Sequence, residues 1–123
     1  MMPTEPEPIT LAQLVHRAVE LCDPDGGDGD LSALLERFED ADVPVTAVVD
    51  IDARMAEATA AIEPDGTAPS LAMAAAVVVY LAHRRDELDA PRENVLSLAA
   101  RAEFDGNPPP HVAQWLDEEG VAV

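Results

Sequence analysis

Hydrophobic residues recur at helical spacing along most of the chain, and this pattern predicts an all-α fold. The first amphipathic segment begins at Thr10, which together with Gln13 has the residue types of a capping box. Its apolar positions then repeat at i, i+3, i+4 and i+7 as far as Cys22. A second apolar stripe covers residues 31–41, and Asp28 or Asp30 can cap its start.

Residues 45–49, with the sequence VTAVV, fit either a short strand or the start of a third helix. A lone strand is not stable, and no second convincing strand is present to pair with it. We therefore expect a third helix over residues 45–62, with the strand as the alternative.

The most apolar stretch of the chain, LAMAAAVVVYLA at residues 71–82, has no polar side. A helix of that kind belongs in the centre of a bundle or buries a side against a partner. We expect an irregular bundle of five to six helices around a central apolar helix at about residues 70–85. Two further helices complete it: one covers residues 91–104, and a short one follows Pro109 and ends at Gly120. The apolar stretch is shorter than the roughly 20 residues that cross a bilayer, so no membrane association is expected.

The beginning of the chain has a different character from the rest, with three prolines among acidic residues. We expect residues 1–9 to form a disordered tail and residues 10–123 a single helical domain. The start has neither the basic nor the apolar region of a signal peptide, which favours a cytoplasmic protein. The single cysteine, Cys22, lies on an apolar stripe and is expected to be a buried structural thiol.

The net charge of the chain is more informative about its environment than any sequence motif. The chain has 25 acidic residues, no lysine and seven arginines, for a formal net charge of −18. Repulsion among so many negative charges destabilises a compact chain in dilute buffer, whereas molar salt limits the range of that repulsion to a few ångströms. The charge therefore predicts a halophilic protein in a K⁺-rich cytoplasm. It also argues against nucleic-acid binding, which requires a cationic face.

The loop between the first two predicted helices is rich in aspartate and glycine, and it resembles the calcium loop of EF-hand proteins. The register does not match: with Asp23 in the first position, the twelfth residue is Leu34 rather than a bidentate glutamate. We favour a solvated loop with capping aspartates, and keep a divalent-cation domain with weak Ca²⁺ or Mg²⁺ binding as the alternative function. Its candidate ligands are Asp23, Asp25, Asp28 and Asp30.

Recognisable catalytic motifs are missing from the sequence, with no nucleophile elbow, phosphate-binding loop or histidine spacing typical of a metal. We expect a non-enzymatic protein-interaction or regulatory module without a cofactor, whose partner is another protein or, in a homodimer, a second copy. The candidate interaction residues are three small side chains of the apolar helix, where another helix can approach closely, and one tryptophan. They are Ala72, Ala76, Val79 and Trp115. The pattern itself favours the apolar helix as the central core helix and Trp115 as a lid on the core, and the interaction surface is the alternative to that interpretation.

Overall fold

The computed structural model describes residues 9–122, and within that range the chain forms six α-helices and no strand. The helices are α1 (Leu11–Cys22), α2 (Gly29–Phe38), α3 (Ile51–Ile62), α4 (Pro69–His83), α5 (Arg92–Phe104) and α6 (Pro110–Glu118). The predicted all-α bundle is confirmed. The predicted tail lies outside the described residues as far as residue 8. Ile9 is half-buried, and its carbonyl accepts a hydrogen bond from the Val45 N–H at 2.8 Å.

Helix α4 is the centre of the bundle, because it contacts each of the other five helices. Its fully buried side chains are Met73, Ala74, Val77, Val78 and Leu81. The helix ends at His83, since Arg84 leaves the helical region and a 3₁₀ turn follows at Arg85–Glu87. Within residues 9–122, no helix combines the length and the apolar character that crossing a membrane requires.

The helix ends are fixed by local signals that were legible in the sequence. At the start of α1, the Thr10 N–H donates to Gln13 Oε1 at 2.9 Å, and the Gln13 N–H donates to Thr10 Oγ1 at 3.2 Å. At the end of α6, Gly120 adopts a positive φ of 73°. The N–H of Val121 then donates to the Leu116 carbonyl at 2.9 Å, as in a Schellman motif, and the Val121 side chain is buried.

The predicted third helix over residues 45–62 was wrong in its first six residues. A 3₁₀ turn covers Val45–Ala47, and α3 begins only at Ile51. Asp50 has a left-handed backbone, with φ of 55°, and its carboxylate accepts from the Ala53 N–H. The loop before α3 instead caps the start of α1. The carbonyls of Val43 and Ala41 accept hydrogen bonds from the first two N–H groups of that helix, each at 3.0 Å.

Two other boundaries differ from the prediction for local reasons. Helix α2 begins at Gly29 rather than residue 31, because Asp28 takes the capping position, and it ends at Phe38 rather than residue 41. Helix α5 begins at Arg92, because Pro91 keeps an extended backbone and acts as the flanking residue.

Candidate functional site

An open groove runs along α4 between α3 and α5. These two helices both pack on α4 and have at most marginal contact with each other. The groove consists of two adjoining hollows of about 390 and 220 Å³, which share Asp52, Val79 and Glu103. We call it the α4 groove, and its lining residues are Asp52, Ala56, Thr59, Ala72, Ala75, Ala76, Val79, Tyr80, His83, Arg84, Ala102, Glu103 and Phe104.

The floor of the α4 groove is made of small apolar side chains. Ala72, Ala75 and Val79 are half-buried, whereas Ala76 is only 3% exposed. These four positions follow the spacing of one helix face. Because their side chains are short, the backbone of a second helix can approach α4 closely over this stretch.

The structure brings three of the four predicted interaction residues together. Ala72 and Val79 line the floor, and Ala76, which is almost fully buried, lines one of the two hollows. Trp115 lies elsewhere, on α6, where it is half-buried and packs against the hydrophobic core. The tryptophan therefore does not belong to the same surface.

Two exposed carboxylates, one from each wall, line the waist of the groove, which is the part that its two hollows share. Asp52 lies in the first turn of α3, and Glu103 lies in the last turn of α5. Glu103 is exposed, but partial desolvation of its carboxyl group, and secondly the negative charge of Asp52, raise its pKa above the ordinary value. Sequence reasoning missed this pair, because the two residues lie far apart on helices whose packing no local signal specifies.

One end of the groove has a different electrostatic character. Arg84 pairs with Asp86 at 3.5 Å and with Glu87 at 3.3 Å. Beside it, the Tyr80 hydroxyl is covered by its surroundings and has no hydrogen-bond partner among the described residues. Burial, followed by the charge of Glu87, raises the pKa of that hydroxyl.

The aspartate-rich loop has a structural role. The carboxylate of Asp23 accepts from the N–H groups of Gly27, at 3.2 Å, and Asp28, at 2.8 Å. Asp28 caps α2 by accepting from the N–H groups of Asp30 and Leu31, and it also accepts from the Ser70 hydroxyl at 2.5 Å. This loop therefore fastens the start of α2 to the start of α4.

The candidate cation ligands do not form a coordination set. Asp25 is exposed, and Asp30 lies half-buried in the first turn of α2. Across residues 9–122, no three histidine, cysteine, aspartate or glutamate side chains converge in a way that could hold a metal ion. The geometry thus gives the cation-binding alternative no support.

Cys22 is 4% exposed, and its burial raises the pKa of the thiol to about 12, so that it stays protonated at neutral pH. The partial opposing effect of the Arg92 charge does not change this outcome. A nucleophilic role for Cys22 is therefore not supported by its surroundings.

A second open cleft, of about 550 Å³, lies between α2 and α3 over Phe38. It is lined by Arg37 and Arg54, but Asp40 and Glu57 line it as well. The formal charges of these four side chains cancel, so the cleft offers an anion little net attraction. The α4 groove differs from this cleft in its apolar floor and in the two carboxylates, Asp52 and Glu103, that its two hollows share.

No protein-family model, curated protein or solved structure matches this chain.

Proposed function

We propose that this protein is a non-enzymatic protein-interaction module whose docking surface is the α4 groove. The observation that carries the proposal is that the central helix leaves a row of small apolar side chains, Ala72, Ala75 and Val79, only half-covered between α3 and α5. Apolar surface of this kind with a polar rim is typical of interaction sites. Docking of a helix into an apolar groove is a recurrent way of using it.

The occupant that fits best is a helix from a different protein. The floor residues share one helix face, and short side chains suit the interaxial distance of about 8–10 Å between packed helices. A second copy of this chain fits less well. A two-fold interface through the groove would bring two copies of Asp52 and Glu103, four carboxylates in all, into one contact region.

We place this module in a salt-rich cytoplasm. The support is the net charge of −18 and the use of arginine alone as the basic residue. In molar salt, screening removes most of the self-repulsion and leaves short-range packing as the dominant contribution to binding. A groove with an apolar floor retains its affinity under those conditions.

The experiment uses a phage-displayed library of helical peptides, selected in molar KCl against the whole chain. Ala56 is exposed on the groove wall, so Ala56→Trp places a large ring over the opening. The matched control is Ala113→Trp, at an exposed position of α6 away from the groove. We expect Ala56→Trp to weaken the selected peptides about thirtyfold, the scale of a lost hot spot, and the control to leave them unchanged.

Peptides that bind both variants with equal affinity would contradict the proposal, as would a selection that yields no binder. Light scattering in molar KCl adds an independent check on the nature of the occupant. We expect a monomer at all protein concentrations. A dimer that Ala56→Trp dissociates would show instead that the groove serves self-association.

A further inference from the structure

We propose that the turn between α5 and α6 contains a modification site, at which Asp105 rearranges to isoaspartate through a cyclic imide with the backbone of Gly106. The chain has four aspartate-glycine pairs, all of them capable of this chemistry in an unfolded chain, and the structure distinguishes one of them from the other three. The pairs are Asp25 with Gly26, Asp28 with Gly29, Asp65 with Gly66, and Asp105 with Gly106.

The rearrangement needs only the chain and water. The backbone nitrogen of Gly106 attacks Cγ of Asp105 in its carboxylic acid form, so that an N–Cγ bond forms and the carboxyl hydroxyl leaves with the amide proton as water. Water then opens the imide. Hydrolysis at the former main-chain carbonyl gives isoaspartate, whose peptide bond runs through Cγ, whereas hydrolysis at Cγ restores aspartate. Glycine favours ring closure because no Cβ hinders its nitrogen.

The first argument is that both reacting groups of this pair are free. Asp105 and Gly106 are exposed. Among the described residues, no backbone carbonyl accepts from the Gly106 N–H, and no ion pair involves the Asp105 carboxylate. The turn is closed by a single backbone hydrogen bond, from the Asn107 N–H to the Phe104 carbonyl at 2.8 Å.

The backbone of this pair also favours a local rearrangement. Asp105 ends α5 in the left-handed region, with φ of 52°, and Gly106 follows with φ of 81°. Ring closure requires the Asp105 backbone to rotate out of this conformation, so that Cγ reaches the Gly106 nitrogen. A residue with a Cβ does not prefer the left-handed region, and the rotation is therefore not opposed by an intrinsically favourable backbone.

The second argument is that the other pairs are held in place, beginning with the two in the loop before α2. The Asp28 carboxylate caps α2 and accepts from the Ser70 hydroxyl, so that it is not available for attack. The Gly26 N–H donates to the Asp23 carbonyl at 3.1 Å. The Asp23 carboxylate fastens the same loop by accepting from the N–H groups of Gly27 and Asp28.

The loop before α4 is fastened in a similar way. The Gly66 N–H donates to the Glu63 carbonyl at 3.3 Å. The Glu63 carboxylate accepts from the Thr67 N–H at 3.1 Å and from the Thr67 hydroxyl at 2.8 Å. Each of these loops must break more hydrogen bonds to open than the turn at Asp105, so the opening that ring closure requires is least costly there.

The test follows isoaspartate formation in the whole chain, kept folded in molar KCl at mildly acidic pH and, in a parallel sample, unfolded in guanidinium chloride. Trypsin cleaves after arginine and divides the pairs among three peptides, which cover residues 18–37, 55–84 and 102–123. Chromatography separates each isoaspartyl peptide from its aspartyl isomer of equal mass, and mass spectrometry identifies the imide by the loss of one water.

We expect the folded chain to form isoaspartate in residues 102–123 about tenfold faster than in either other peptide, the factor that one hydrogen bond left unbroken contributes. In the unfolded chain the four pairs should react at similar rates. Equal rates in the folded chain, or a faster rate in either other peptide, would overturn the inference. The same preference in the unfolded chain would overturn it as well, since the sequence rather than the structure would then select the site.

Two variants test the two arguments separately. Asp105→Glu lengthens the side chain and disfavours ring closure, so the product should disappear from residues 102–123 and stay unchanged in the other peptides. Glu63→Ala removes the carboxylate that fastens the loop of Asp65, so the rate in residues 55–84 should rise. A product that persists in Asp105→Glu, or a rate at Asp65 that Glu63→Ala does not change, would contradict the corresponding argument.

Discussion

The covered face of α4 and the face that floors the groove are both apolar, but they differ in side-chain size and in what fastens the neighbouring helices. The covered face contains Met73, Val77 and Leu81, all with no exposed surface. The groove face consists mainly of alanine. A helix that is apolar on all sides can thus bury one side fully in the core and leave the other only half-covered, with side-chain size separating the two faces.

The helices that pack against α4 also differ in whether side-chain hydrogen bonds hold them in place. Arg17 and Arg92 tie α1 to the α5 region, through the Leu88 and Ala90 carbonyls and through the Leu21 carbonyl. Within residues 9–122, no side-chain hydrogen bond joins α3 to another helix. Helix α3 is held by apolar packing of Ile51, Met55 and Ala58, so the α3 wall of the groove is more easily displaced than the α5 wall.

Lowering the salt concentration should have the largest effect and should reveal this asymmetry. In dilute buffer we expect the helical circular-dichroism signal to be lost at least partly, because the net charge of −18 is no longer screened. At intermediate KCl concentrations, amide exchange measured by NMR should show α3 losing protection before α1. Full stability in dilute buffer would contradict the salt adaptation, and simultaneous loss of protection in both helices would contradict the asymmetry.

A matched pair of valine substitutions tests the two faces of α4 directly. Val77 is fully buried, whereas Val79 is half-buried in the groove. We expect Val77→Ala to lower the free energy of unfolding by about 2 kcal/mol, through lost burial and a residual cavity, and Val79→Ala by less than about 1 kcal/mol. Denaturant unfolding in molar KCl measures both, and equal losses would show that the groove face is part of the core.

The sequence was sufficient for the parts of this architecture that depend on local signals. The capping box at Thr10, the glycine end of α6 and the fully apolar stretch of α4 each lie within a few residues, and the structure confirms them. The backbone at residues 45–50 was not predictable in that way. Its course depends on Ile9 and on the start of α1, which are distant in sequence, and on the left-handed Asp50.

The groove was predictable only in part. The small side chains of Ala72, Ala76 and Val79 marked one face of α4, but nothing in the sequence showed that α3 and α5 would leave that face open. The waist carboxylates, Asp52 and Glu103, come together through tertiary packing alone. The role of the groove in docking stays a prediction.

Removing the arginine tie should produce the next effect in size. Arg92 donates to the Leu21 carbonyl at 2.6 Å and to Glu119 at 3.2 Å, so it joins the ends of α1 and α6 to the start of α5. We expect Arg92→Ala to cost about 1–2 kcal/mol of unfolding free energy, because it leaves a part-buried carbonyl without a partner. The control is Arg101→Ala, at an exposed position of α5, and it should change stability by less than about 0.5 kcal/mol. Equal effects of the two substitutions would show that the tie does not contribute.

The smallest predicted effect is the change in stability when a single carboxylate is neutralised. We expect it to have opposite signs for Glu103 in the groove and for Glu63 outside it. Because the pKa of Glu103 is raised, its ionised form costs stability above that pKa, and the cost disappears as the pH falls through it. Glu103→Gln should therefore stabilise the chain slightly at neutral pH, by less than about 1 kcal/mol after solvent screening, and not in acid.

Glu63 provides the comparison for Glu103. Hydrogen bonds from Thr67, first of all from its side chain, lower the pKa of Glu63. Its ionised form contributes stability above the ordinary pKa, and that contribution is lost as the pH falls through the lowered value. Glu63→Gln should therefore destabilise at neutral pH. Thermal unfolding as a function of pH checks both signs, and the same sign for both variants would contradict the electrostatic account of the groove.

The most direct test of the central claim is a methyl NMR titration of the alanine-labelled chain in molar KCl with a selected helical peptide. The account predicts shifts confined to the alanines of the α4 groove, Ala56, Ala72 and Ala75 among them, with Ala113 and the buried Ala18 unchanged. Shifts centred on Ala41 and Ala58, in the cleft between α2 and α3, or on Ala12 of α1, would place the docking surface elsewhere and contradict it.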